Sequence, residues 1–493
     1  MALKQLLGLA SVVLTARAQS ASSTAAACPS SIAPAHGAPS VAPGFRVQVV
    51  ANNLRDPRGI QFDSSGGLLV VEQGHGISRL PLTGDGACVR QSAPAQVVVD
   101  DDELNHGIAL SQDGRTLYGS THSNVYAWSY NAQEGRVTGN SRNIVEEMGD
   151  DEGHTTRTLL LSAKVPSLLL VSRGSVGNID PQTVDITTGV STIKAFNVSN
   201  VTDSAYRHAR DGLLLGWGLR NSVGVAEDPV TGAIYSVENS VDNIQRSGET
   251  INENNPGEEL NFHGYLNGTQ SNVTGRNYGY PSCFAAWDVD EIPDNDGLQT
   301  GSNFAIGNQN ETVNDDFCRE DRVAPRITFD AHMAPLDIKF NTNGTGAWVT
   351  MHGSWNREEP IGYKLSFVEF DGNGSPRAAA NSTTAAVDIV SNSDLSSCPR
   401  NCFRPVGLAW DAQGRLYMSS DSTGEIYVIT RTDGTGVNNV SQASSSGGGT
   451  GTPTGSAPSA SSSTSKGAMR WKVSEAIFGV AGAAVVGGIL PLI

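Results

Sequence analysis

The stretch Gly59-Ile-Gln-Phe-Asp-Ser-Ser-Gly66-Gly-Leu-Leu-Val is an apolar run, a turn of Asp, Ser and Gly, and a second apolar run. That is the signature of a β-hairpin. The same sentence recurs at Gly107-Ile-Ala-Leu-Ser-Gln-Asp-Gly114-Arg-Thr-Leu-Tyr, at Gly224-Val-Ala-Glu-Asp-Pro-Val-Thr-Gly232-Ala-Ile-Tyr, at Asp337-Ile-Lys-Phe-Asn-Thr-Asn-Gly344-Thr-Gly-Ala-Trp and at Gly407-Leu-Ala-Trp-Asp-Ala-Gln-Gly414-Arg-Leu-Tyr. A degenerate copy starts at Thr158. Helical periodicity is nearly absent between the copies. Hairpins repeated at spacings of tens of residues predict an all-β fold, a six-bladed β-propeller with long inserted loops. A tandem of β-sandwiches is the runner-up, and a shared hairpin sentence along the whole chain argues against it. The widest gap, from Gly224 to Asp337, holds two cysteines and three Asn-x-Ser/Thr sequons, so it reads as a disulfide-stapled surface excursion.

Working outward, both ends read as signals. Residues 1–18 have a charged start, an apolar run and Ala16-Arg17-Ala18, a small-residue cleavage pattern, as in a secretory signal peptide. Residues 434–465 are mostly Ser, Gly, Thr, Ala and Pro and read as a flexible stalk. Residues 466–493 combine small residues, a short polar spacer and an uncharged tail with nothing basic after it. That favours a GPI-anchor signal over a spanning helix. The propeller unit is then 19–433, on a protein that is secreted, held at the cell surface and touches the membrane only through its anchor. Six cysteines in such a chain imply three disulfides among fifteen possible pairings. Pairing in chain order (Cys28–Cys88, Cys283–Cys318, Cys398–Cys402) is the expectation taken. Nine sequons, at Asn197, Asn200, Asn267, Asn272, Asn310, Asn343, Asn373, Asn381 and Asn439, mark surface positions for N-glycans.

The chain carries 50 acidic and 33 basic side chains, a net charge of −17. That excludes nucleic acid as a partner, because phosphate neutralisation needs clustered Lys and Arg. Strict collagen or coiled-coil periods are missing too. Within this acidic chain, basic and amide residues gather beside the hairpins. Arg58 precedes the first, Asn105-His106 the second, His154 and Arg157 the third, Arg220-Asn221 the fourth and Arg404 the last; His352, Trp355, Asn356 and Lys364 follow the fifth. Cations converging on one axis call for an anion. A small planar polycarboxylate is the chemical candidate. Each residue alone has a bland reading, as a surface ion pair or a structural histidine.

The strings "DPRGI" (56–60), "LNHGIALS" (104–111), "GHTTRTLLLS" (153–162), "WGLRNSVGVAEDP" (217–229), "YGYPSC" (278–283), "HGSWNREEPIGYK" (352–364) and "CFRPVGLAWD" (402–411) also carry a resemblance. The chain resembles the fungal PQQ-dependent pyranose dehydrogenases of the soluble glucose/sorbosone dehydrogenase superfamily. The resemblance implies pyrroloquinoline quinone (PQQ) on the propeller axis with a Ca²⁺ ion. It implies His154 as catalytic base and Arg58, Arg157, Arg220, Asn221, His352, Trp355, Asn356, Lys364 and Arg404 around the cofactor. Ca²⁺ would take the backbone carbonyls of Asn239 and Ser240, although bacterial members have Gly-Pro there. The expected reaction is oxidation of a sugar, with electrons passed to a separate acceptor such as an extracellular haem b cytochrome, since no cytochrome-like domain is seen in the chain. Two other readings are weighed: a Ca²⁺-dependent lactonase, which needs acidic ligands rather than cations, and a non-catalytic cell-wall binding propeller. Phospholipase C should release the protein from intact cells. A protein that stays bound and still contains Ile493 would show the tail to be a transmembrane helix.

Overall fold

The computed structural model describes Cys28 and residues 31–440, apart from 87, 150, 151 and 200–203. The expected signal and anchor segments lie outside the described residues. Among those described, no helix is long and apolar enough to cross a membrane. Among the described residues six sheets of four or five strands follow one another along the chain, antiparallel except for one parallel outer strand in each of the second and third. Every predicted hairpin is the first two strands of one sheet: Pro57–Phe62 with Gly67–Glu72, Ile108–Leu110 with Thr116–Ser120, Leu159–Leu161 with Leu168–Arg173, Ser222–Glu227 with Ala233–Glu238, Pro335–Phe340 with Gly346–Met351, and Pro405–Trp410 with Leu416–Ser420. The first strands touch in a closed ring, each against the next and the sixth against the first. They line an axial channel. The fold is the six-bladed propeller expected.

Turn and axis chemistry explain the repeated sentence. In the first blade Asp63 Oδ1 accepts the N–H groups of Ser65 and Gly67 at 2.9 and 2.8 Å, and Gly66 takes φ +81°, open to Gly at no steric cost. The glycine that starts a copy has a different duty. A Cβ on Gly59 would sit 2.3 Å from the His106 carbonyl, on Gly107 2.1 Å from that of Arg157, and on Gly407 2.5 Å from that of Arg58. These three first strands thus press their glycines against the next blade's backbone. Hydroxyls complete the join. Ser120 Oγ accepts from Gly107 N (3.1 Å) and donates to Arg157 O (2.6 Å). Ser419 links Gly407 N to Arg58 O, and Thr350 links Asp337 N to Val406 O, in the same way.

The ring is closed by the N-terminal strand Phe45–Ala51, which pairs antiparallel with Glu425–Arg431 as the outer strand of the last blade. The excursion lies between the second and last strands of blade four. It is pinned by Cys283–Cys318 and by a buried bidentate pair, Arg246 with Asp315 at 2.7 and 2.8 Å. The other disulfides are Cys28–Cys88 and Cys398–Cys402, as expected. Seven sequon asparagines, at 267, 272, 310, 343, 373, 381 and 439, are exposed; Asn197 is half-buried, and Asn200 lies outside the described residues. The predicted stalk start at 434 shifts outward. Val437 and Val440 are buried, and Val437 N donates to Gly414 O at 2.7 Å, so the chain packs on the propeller through at least 440.

Removing a bridging hydroxyl should strand a buried N–H and a buried C=O at once. Ser419→Ala is therefore expected to cost roughly 1–3 kcal/mol in urea unfolding; an unchanged midpoint would remove the bridge from the account. The interior also sets a pH optimum. Burial pushes His106 and His263 down to about 3, His154 to about 4, and His208 well below 6.5. The unfolded chain therefore takes protons that the fold refuses, and stability falls with pH below 6.5. Burial pushes Glu258 and Glu259 up to about 7 and Glu238 well above 4.5. There the fold holds protons that the unfolded chain releases, so stability falls as pH rises above 4.5. The two sets oppose each other between these values. The melting temperature should peak between about pH 4.5 and 6.5 and drop on both sides. Glu238→Gln should flatten the upper side.

Candidate functional site

A cleft of about 320 Å³ opens at one end of the ring. Its walls are the residues just before first strands and just after second strands. His154 stands before blade three, Arg220 and Asn221 before blade four, His332 and Ala334 before blade five, and Arg404 before blade six. Asn239, Ser240 and Asp242 follow the second strand of blade four, and His352, Gly353 and Trp355 that of blade five. One geometric rule of the propeller thus gathers side chains more than two hundred residues apart. Gly174 permits part of it. A Cβ there would fall 2.7 Å from both Asn221 Oδ1 and His154 Cβ.

His154 is held in one tautomer. Its Nδ1 lies 3.0 Å from Ser175 O and 2.9 Å from Ser175 Oγ. The carbonyl can only accept, and the hydroxyl already donates to Gly177 O at 2.7 Å. Nδ1 must carry the proton, so Nε2 keeps its lone pair and opens into the cleft. Burial, then the nearby Arg220, pushes the imidazole down to about 4, against the pull of the Ser175 carbonyl. His332 is the opposite case. Its Nε2 donates to Asn252 O at 2.5 Å and its Nδ1 faces Asp242 Oδ1 at 3.3 Å. Although burial lowers it, these partners raise it, and it carries its charge more readily than an ordinary histidine.

Asp242 is a hub. It accepts from Arg220 Nη2 at 3.1 Å and Asn356 Nδ2 at 3.0 Å. Asp421 is a second one. It accepts from Arg58 Nη1 at 2.5 Å and His352 Nε2 at 2.9 Å. Burial would raise Asp421, but His352, Arg58 and Arg404 hold it well below the usual carboxylate range. Arg404 differs from the other cations. Its Nε and Nη2 donate to the carbonyls of His352 (3.1 Å) and Gly353 (2.8 Å), and among the described residues it has no carboxylate partner. The Ser240 carbonyl receives no donor among them, while the Asn239 carbonyl accepts Arg220 Nη1 at 3.3 Å.

Of the residues singled out in the sequence, His154, Arg220, Asn221, Asn239, Ser240, His352, Trp355 and Arg404 line this cleft. Arg58 sits beside it behind Asp421, and Asn356 reaches it through Asp242. Arg157 is buried behind His154. Lys364 does not line it and pairs with Asp388 at 3.0 Å. The argument that these cations need an external anion is corrected accordingly: Arg58, Arg220 and Lys364 have carboxylates of their own. Sequence reasoning missed Asp242, Glu258, His332 and Asp421. His332 immediately precedes the fifth hairpin, the position searched before the other five. Glu258 comes from beyond part of the excursion, and no local signal marks it.

Known proteins resemble this chain in sequence and fold. The PQQ-dependent sugar dehydrogenase of Hypocrea jecorina (strain QM6a) is 47% identical over 404 residues, 81% of this chain and 91% of that protein. A calcium structure of the family AA12 enzyme of Trichoderma reesei superposes with a TM-score of 0.79 at 46% identity, covering 82% of this chain and all of that one. The holo form of the PQQ domain of Coprinopsis cinerea pyranose dehydrogenase gives 0.76 at 37%, over 82% of this chain and 99% of that one. A family model described as TrAA12-like matches residues 39–432, which takes in all six blades and the whole cleft, and so this chain belongs to the TrAA12-like family.

Proposed function

We propose that this chain is a quinoprotein sugar dehydrogenase that holds PQQ in the cleft. The observation that carries the reading is the pairing, in one cleft, of a guanidinium without a carboxylate partner, Arg404, and a neutral histidine whose free nitrogen, Nε2 of His154, faces inward. The donor set suits a planar polycarboxylate. Arg404 and Arg220 can hold carboxylates. The Asn239 and Ser240 carbonyls are hard oxygen donors of the kind Ca²⁺ prefers, and the carboxyls of Asp242 and Glu258 face the same cleft. The names of the relatives support the reading.

When bound, PQQ supplies an ortho-quinone that accepts two electrons from the sugar, and Ca²⁺ would add Lewis acidity beside it. The rest falls to the chain. His154 Nε2 takes the proton of the sugar hydroxyl as the carbon is oxidised. Ser175 holds the imidazole in the tautomer that can do so. Asp421 fixes His352 with Nε2–H turned away from the cleft interior. Trp355, 65% exposed at the mouth, offers a ring face to the sugar. Electrons leave to a separate acceptor, for which an extracellular haem b protein is the proposed class, and the protein works at the cell surface as a glycosylated, GPI-anchored form.

The test is stopped-flow reduction of bound PQQ by a panel of aldoses and 2-keto-aldoses. Wild type with PQQ and Ca²⁺ should be reduced by at least one sugar. His154→Ala should bind PQQ as wild type does and lose at least about a hundredfold in reduction rate. Because the base acts neutral, the wild-type rate should hold at neutral pH and fall as pH drops through about 4. Calorimetry showing no PQQ binding in excess Ca²⁺ would overturn the reading. Equal rates in His154→Ala would leave His154 structural.

A further inference from the structure

We propose that Arg157 is a positioning residue for His154 rather than a cofactor ligand; this rests on the dehydrogenase reading above. Arg157 is 2% exposed and does not line the cleft. Its guanidinium is spent on the backbone that carries the histidine. Nη1 donates to His154 O at 2.6 Å and to Thr156 O at 2.9 Å, and Nη2 donates to Met148 O at 3.2 Å. Among the described residues between Glu146 and Leu159 there is no strand or helix. The segment therefore has no ladder of its own, and a single side chain ties together carbonyls from both of its ends.

Arg157 is also anchored where the fold is most constrained. Its carbonyl accepts the Ser120 hydroxyl at 2.6 Å, and Gly107 packs against that same carbonyl. The residue thus bridges the ring of first strands and the loop of the base. Among the described residues no carboxylate pairs with its guanidinium, and Nε is buried without a partner. Burying a cation on carbonyls alone is costly, and what the structure gains is the place of His154. The charges that face His154 are Arg220, Asp242 and Arg157 itself; Arg173 stands beside Arg157. Geometry and charge can therefore be separated. Lysine keeps the charge but ends in one nitrogen and lacks the fork that sets Nη1 on His154 O and Thr156 O and Nη2 on Met148 O; methionine keeps the bulk and loses both.

The experiment compares Arg157→Lys and Arg157→Met with wild type in the full chain. In protein without cofactor, deuterium uptake by the 148–157 segment should rise in both variants while the blades stay protected. With PQQ and Ca²⁺ added, PQQ affinity and sugar KM should hold, and reduction should slow by about ten- to a hundredfold. The acid limb of the rate should move to higher pH in Arg157→Met, where a cation beside His154 is gone, and stay in place in Arg157→Lys. If Arg157→Met does not fold, Arg157→Lys decides by the same split. Weakened PQQ binding with an undiminished rate at saturation would make Arg157 a cofactor ligand and overturn the proposal. Unchanged deuterium uptake in a folded variant would overturn it too. If wild type reduces PQQ with no sugar, the dehydrogenase reading fails, and the uptake comparison still decides what Arg157 does.

Discussion

Everything in this molecule depends on how closely six first strands crowd one axis. At that distance a Cβ does not fit, so Gly59, Gly107 and Gly407 stand where a neighbour's carbonyl intrudes. A strand that bulges there loses ladder bonds, and a hydroxyl from the second strand restores them. Ser120, Thr350 and Ser419 each serve one N–H of their own blade and one C=O of the next. The carbonyls so engaged include those of Arg58 and Arg157. The side chains at the mouth of the axis are therefore mounted on the part of the backbone with the least freedom, which is what a site assembled from four blades requires.

The electrostatics of the cleft follow from that rigidity. Two carboxylates, Asp242 and Asp421, are fixed where they neutralise Arg220 and Arg58, and Asp421 also accepts from His352. Cations that would otherwise repel one another can share a small volume. The net effect is selective. Arg404, which donates only to carbonyls and lies over the Tyr363 ring, and His154, which meets only an acceptor carbonyl and a hydroxyl whose proton is already committed, keep their reactive atoms for something outside the chain.

The hairpins and their number were legible because each is a local pattern of turn chemistry and spacing; the cysteines pair in the chain order taken as the expectation, which no local pattern dictates. The site was legible in so far as it obeys the same local rule, with His154, Arg220 and Arg404 set just before a hairpin. What escaped is what the chain brings in from elsewhere. Asp421 comes after the last hairpin and meets Arg58, 363 positions earlier, only once the ring has closed. Glu258 reaches the cleft through a strand that begins beyond the excursion's first turns. Lys364 sits in a motif like its neighbours', yet its strand pairs it with Ser391 and its Nζ reaches along the next strand to Asp388. The packing of Val437 and Val440 was hidden by a polar, small-residue composition around them.

The strand Phe45–Ala51 finds its partner, Glu425–Arg431, only when nearly the whole propeller has been synthesised. During translation it is made first and waits longest, as an unpaired edge of apolar residues open to the wrong company. The bond between Cys28 and Cys88 bears on that interval. It joins the segment just ahead of the waiting strand to the edge of the first blade, and Gln48 of the strand reaches across to Val89 beside it. An early thiol oxidation would moor the strand to the first module completed and leave only a short swing to the last. The order in which these cysteines are oxidised is then part of how the circle is finished.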